Sequence, residues 1–189
     1  MIPVGTKSVL FGVHQFLWHP ITVGLAWRKL YGVWPNRYQW IAIFCHDLGY
    51  IGKPNMDGPE GKTHPVRGAR IARTLTRWLA RLSGKSEGAA ALAGCHIYFL
   101  SLYHSREYCK LHESEPSKLY AADKFCCFFD PPWLYLLRAH LSGEIYEFRA
   151  NAIGMIPDEF GYWDWYRWYR LNVLWRKEIQ ELLSIRPKP

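Results

Sequence analysis

The sequence has few acidic residues, little cysteine and no stretch in which apolar and polar residues alternate. Asp and Glu total 16 against 24 Lys plus Arg in 189 residues, a formal net charge of +8 with histidine neutral. That balance favours an anionic partner. The five cysteines, Cys45, Cys95, Cys109 and the adjacent Cys126 and Cys127, form no Cys-x-x-Cys pair, which argues against a disulfide framework and against a cysteine zinc site. Without strand-type alternation, and with apolar residues recurring at spacings of three and four, the expected fold is all-α. The N-terminus lacks the basic, apolar and small-residue segments of a secretory leader, so a reducing cytoplasm is the expected compartment. The most apolar stretch, residues 8–27, is interrupted by His14, Gln15, His19 and Pro20. Polar groups at mid-bilayer are costly, so it reads as a buried helix and not a membrane span.

What the chain has in abundance is aromatic: 10 Trp, 12 Tyr and 9 Phe, 16% of residues. Basic and aromatic character together suit a nucleotide or single-stranded nucleic acid, although an aromatic core accounts for the same composition. With 49% hydrophobic and 21% charged residues, the chain reads as a single globular domain, 1–189. Helices are expected over about 20–30, 37–48, 64–82, 88–103, 117–129 and 133–141, and a last long one over 162–185. Residues 49–61, 105–115 and 151–161 read as connections. In the second helix Trp40, Ile41, Ile43 and Phe44 are expected to be the buried side, and the fourth, apolar nearly all round, is expected to be central. On the last helix Trp165, Trp168, Asn172, Trp175, Ile179 and Leu182 share one face, which suits a core or a homodimer contact in preference to base stacking.

The chemistry concentrates in polar residues set among apolar ones. His46-Asp47 ends the apolar run Ile41-Ala42-Ile43-Phe44-Cys45, where a shared divalent cation would satisfy imidazole and carboxylate together. His19 stands at the mouth of the first expected helix. Asp123 lies within Tyr120-Ala121-Ala122-Asp123-Lys124-Phe125, where an unpaired charge is expensive. His96, on an apolar helix, reads as a core histidine, and His112 and His140 as surface residues.

A His, then His-Asp, then Asp, each on a separate helix, resembles the HD phosphohydrolase superfamily of metal-dependent enzymes. The resemblance spans about 19–124 and leaves 133–185 as a helical extension. His64-Pro65-Val66-Arg67-Gly68-Ala69 is similar to the His-Pro-x-x-Gly-Ala element of the two-metal members, and His104-Ser105-Arg106 to their late histidine. HD hydrolases of diadenosine tetraphosphate and HD nucleotidases come nearest in pattern. Where HD cyclic-dinucleotide phosphodiesterases carry Gly-Lys after the His-Asp segment, this chain has Gly49-Tyr50, with Lys53 three positions later.

The resemblance implies a helical bundle in which His19, His46, Asp47 and Asp123 hold one divalent metal, and His64 and His104 help to hold a second. Mn, Fe, Co, Ni and Zn all suit such ligands. His14 is the alternative first ligand; His19 is preferred because Val23 and Ala26 follow it as they do in the family. The resemblance implies hydrolysis of a phosphoester or phosphoanhydride of a small nucleotide, with Asp47 orienting water and Lys53, Arg106 and Lys124 steadying phosphate. Arg67 and Trp18 are candidates for substrate contact. Two other readings stay open, a cyclic-nucleotide phosphodiesterase and a non-catalytic basic aromatic module that binds nucleic acid.

Overall fold

The structure is a computed structural model that describes residues 2–151, 162–170 and 173. Among them it is all-α, without strands. The ten helices are α1 (Val4–Phe11), α2 (Trp18–Tyr31), α3 (Arg37–Cys45), α4 (His64–Leu82), α5 (Glu87–Leu102), α6 (Arg106–Leu111), α7 (Lys118–Phe125), α8 (Pro132–Ser142), α9 (Glu144–Asn151) and α10 (Tyr162–Tyr169). Short 3-10 turns follow α3 at His46–Tyr50 and α7 at Cys126–Phe129, and a third, Gly61–Thr63, leads into α4. No helix among the described residues is long and apolar enough to cross a membrane.

Several expectations change here. The apolar stretch 8–27 is two helices and not one, because Gly12 ends α1 and the segment to Leu17 turns before α2 begins. In that turn the Gln15 side-chain oxygen accepts from the Leu17 and Trp18 amides, satisfying donors that the first turn of a helix leaves open. His19 is thereby fixed in the first turn of α2. The segment 105–115 contains α6, and the segment after Leu141 contains α9. Of the last expected helix, Asn172, Trp175, Ile179 and Leu182 lie outside the described residues, as does most of 151–161.

The main core joins α2, α3, α4, α5 and α7 through Val23, Trp27, Ile43, Ala72, Ile97, Leu119 and Phe125. Burying a side chain such as Ile43 or Leu119 stabilises the fold by about 1.5–3 kcal/mol. On α3 the buried residues are Ala42, Ile43 and Cys45, while Phe44 is exposed and Trp40 packs its ring over Gly24 of α2. Helix α5 is not central: one side lies along α4, whereas Leu92, Phe99, Cys95 and His96 face outward. His96 is therefore a surface residue, like His112 and His140. A second core, Val13, Leu136, Ala139, Ile145, Trp165 and Tyr169, ties α8, α9 and α10 to the turn before α2.

Candidate metal centre

Each of four histidines stands at a helix end, and the ends converge. His19 opens α2, His46 follows α3, His64 opens α4 and His104 follows α5. All four are buried. The close approach depends on two glycines. A Cβ on Gly68 would collide with the His46 carbonyl, and one on Gly49 with the His64 carbonyl. Bare backbone at both positions lets the start of α4 press against the His46–Tyr50 turn, which carries His64 to Asp47.

Two donor clusters result, and they share Asp47. In the first, His19 Nε2 lies 3.2 Å from both Asp47 Oδ2 and Asp123 Oδ1, and His46 Nε2 lies 3.1 and 3.6 Å from the same atoms. The two Nε2 atoms are 3.3 Å apart. In the second, His64 and His104 place Nε2 at 3.6 and 3.5 Å from Asp47 Oδ1, and 3.1 Å from each other. Metal–donor bonds of about 2.0–2.2 Å put neighbouring donors about 3.0–3.5 Å apart. The separations here, 3.1 to 3.6 Å, lie in or just beyond that range.

The protons point to the same conclusion. His46 Nδ1 donates to Ile43 O at 2.7 Å, His64 Nδ1 to Gly61 O at 2.8 Å, and His104 Nδ1 to Ser101 O. Each bond reaches a carbonyl three residues back and leaves Nε2 as the ligand atom, the tautomer that metal sites select through their outer hydrogen bonds. His19 differs, with Nδ1 3.7 Å from Cys126 Sγ. Asp47 Oδ2 is buried and accepts no hydrogen bond among the described residues, although two imidazole nitrogens face it. Nitrogens crowded on a buried carboxylate oxygen need a cation between them, a proton or a metal ion. This buried group could hold a metal ion.

Charge separates the clusters. Burial alone would lower His46, but Asp47 and Asp123 beside it push it up to about 9. His19 is raised well above its ordinary value, against its own burial, by Cys126, Asp123 and Asp47. Burial would likewise raise the two carboxyls; His46 and His14 beside Asp47, and Lys124 and His19 beside Asp123, hold both well below the usual carboxylate range. In the second cluster burial prevails. His64 is held well below its ordinary value by burial and by His104, and His104 is lowered by burial, with His46 adding to it.

The centre opens on a cavity of about 670 Å³ lined by His19, Asp47, His64, His104 and Asp123. Lys62, Arg106 and Lys124 line it too. Lys124 donates to Asp123 Oδ2 at 2.8 Å, while Asp123 Oδ1 is the oxygen that faces the two histidines. Three residues singled out from sequence are not on this wall. Lys53 donates to Thr63 Oγ1, Arg67 to the Ile51 carbonyl, and Trp18 through Nε1 to Asp130 Oδ1. All three steady loops around the centre, and substrate contact through them finds no support in this geometry.

His14 takes a place other than the one its spacing offered. It lines the cavity without joining either cluster, its Nδ1 3.0 Å from Ser8 Oγ and 3.4 Å from buried Glu144. Tyr50 was not singled out from sequence; its buried ring stacks on His64 with centroids 3.8 Å apart. An aromatic in the turn directly after His-Asp was the available signal. Comparison of the chain with protein-family models, with curated proteins and with solved structures gives no match.

Proposed function

We propose that this chain is a metal-dependent phosphohydrolase of the HD type, cleaving a phosphoester or phosphoanhydride of a nucleotide. The observation that carries the reading is the Asp47 carboxylate, which turns one oxygen into each donor cluster. A carboxylate so placed suits a pair of ions held side by side, the arrangement used for in-line displacement at phosphorus. The order of donors along the chain, His19, His46-Asp47, His64, His104 and Asp123, agrees with the resemblance noted above. Mn, Fe, Co, Ni and Zn all accept imidazole with carboxylate.

His19, His46, Asp47 and Asp123 would hold one ion, and Asp47, His64 and His104 the other. Such ions, when bound, supply an acidified water and a polarised phosphoryl oxygen. The remaining work falls to the chain. Asp47 fixes the two clusters relative to each other and presents a hydrogen-bond acceptor to water. Lys124 aims Asp123 and adds positive charge at the cavity wall, and Arg106 places its charge on the same wall. Both cations favour a phosphate whose charge grows as the bond breaks. Burial of all four histidines keeps bulk water from competing for the donors.

The test is elemental analysis of the purified chain combined with a turnover screen. Nucleoside mono- and triphosphates, dinucleoside polyphosphates and cyclic nucleotides are each offered with Mn²⁺, Co²⁺ or Ni²⁺. The expected result is one or two transition-metal ions per chain and release of phosphate or a nucleotide from at least one class. A chain that binds no metal and turns over none of them overturns the proposal.

A further inference from the structure

The cavity has a stretch of lining that the metal clusters do not explain. Opposite in character to the donors, it is formed by Tyr135 of α8, Phe148 of α9 and Trp168 of α10. The three rings lie nearly parallel in sequence. Tyr135 and Phe148 are 18° apart in plane with centroids at 6.3 Å, and Phe148 and Trp168 are 22° apart with centroids at 5.4 Å. All three are half-buried, packed against the second core and also bordering the cavity. One continuous space is thus lined by buried histidines and carboxylates, by Lys124 and Arg106, and by three aromatic rings. Base–ring stacking is tolerant of base identity because every base has a π face, whereas inorganic polyphosphate and sugar phosphates offer such a wall nothing.

We propose that Tyr135, Phe148 and Trp168 form a nucleobase subsite, so that the molecule held with its phosphate at the donor clusters is a nucleoside phosphate whose base lies against α8–α10. The orientation, phosphate toward the histidines and base toward the rings, rests on the phosphohydrolase reading. The stacking wall itself does not. A volume of about 670 Å³ is within the range of single small-molecule sites, which suits one nucleotide. The subsite comes from the part of the chain that lies beyond the His and Asp pattern, and it replaces Trp18, whose indole donates to Asp130 and does not itself line the cavity.

The experiment compares dissociation constants of AMP, GMP, CMP and UMP with that of ribose 5-phosphate on the full chain loaded with Mn²⁺, by calorimetry. Hydrolysis of 4-nitrophenyl phosphate and bis(4-nitrophenyl) phosphate is followed on the same preparation. The subsite predicts that at least one nucleotide binds roughly tenfold or more tightly than ribose 5-phosphate, the size of one base–ring stack. Phe148→Ala and Trp168→Ala bring the ratio toward one, and Phe148→Leu, which keeps an apolar side chain but has no π face, does so in a chain of unchanged circular dichroism. Trp133→Ala, on the exposed side of α8, leaves the ratio intact. Equal affinity for nucleotides and ribose 5-phosphate overturns the subsite, as does a ratio that survives Phe148→Leu and Trp168→Ala. Nitrophenyl ester hydrolysis without a base preference removes the subsite and keeps the hydrolase. A base preference abolished by these variants, without hydrolysis of any ester or nucleotide, keeps the subsite and removes the hydrolase.

Discussion

The two donor clusters share a carboxylate, are equally buried and are built on the same kind of helix end, yet their electrostatics are opposite. Around His19 and His46 two carboxylates outweigh burial and hold protons on the imidazoles. Around His64 and His104 a single carboxylate oxygen does not, and burial keeps those rings neutral. The difference shows what each cluster asks of an ion. The first is anionic and attracts a dication strongly, but the ion must displace protons to enter. The second offers unprotonated nitrogens with less charge behind them. It follows that the first should bind more tightly and the second more readily at lower pH.

The most severe way to break the comparison is to remove what the clusters share. Asp47→Ala takes a donor from both, and it should leave a chain that retains neither ion and loses activity by roughly a thousandfold or more. His104→Ala touches one cluster only, and it should keep one ion per chain. Elemental analysis of the two variants beside the unaltered chain checks this. If His104→Ala loses both ions, the clusters are one cooperative site and the contrast between them fails.

A smaller effect is expected from their spacing. Gly68→Ala sets a methyl group against the His46 carbonyl and should push α4 outward, at a cost of about 1–3 kcal/mol for overpacking. Because His64 travels with α4 while His19, His46 and Asp123 do not, the second ion should be lost and the first kept. Chemical denaturation together with metal content reads both effects, and retention of two ions by a destabilised chain would show that the approach of α4 does not set the second cluster.

The residues of the buried clusters were legible in the sequence because their surroundings betray them: a charged pair ending the apolar run 41–45, and an aspartate among alanines and aromatics at 120–125. A buried charge needs a partner, and that need is visible without coordinates. The helix cores were legible for the same reason, with 64–82 recovered at both ends. Side-chain direction was harder to read. The preference for His19 over His14 rested on the resemblance alone, and the turn fixed by Gln15 agrees with it, placing His19 in the cluster and His14 beside Glu144. Lys53, Arg67 and Trp18 lie near donor residues in sequence, but their hydrogen bonds hold them off the cavity wall, whereas Lys124, directly after Asp123, lines it. The apolar composition of α5 implied a central helix, whereas Leu92 and Phe99 face outward. The aromatic wall was illegible because Tyr135, Phe148 and Trp168 meet only through the packing of three separate helices.

The mildest test leaves the chain unaltered and changes only pH. Histidines raised in the fold, His19 and His46, bind protons that the unfolded chain has released above its ordinary value of about 6.5. Their contribution is complete below pH 6.5 and is lost as pH rises above it, for His46 toward about 9. Histidines lowered in the fold, His64 and His104, act in the opposite direction. Below pH 6.5 the unfolded chain takes up protons that they refuse, so stability falls as the solution becomes more acid. Asp47 and Asp123, both lowered, reinforce that loss at still lower pH. For protein treated with a chelator, the thermal midpoint should therefore peak near neutral pH and decline on both sides. Added Mn²⁺ should remove the alkaline decline, because an ion that has taken the place of the protons on His19 and His46 no longer depends on them, and its apparent affinity should climb with pH until about 9. A midpoint that keeps rising from pH 6.5 to 9 in the chelated protein would mean that the carboxylates do not govern the first cluster, and the two clusters would then be alike.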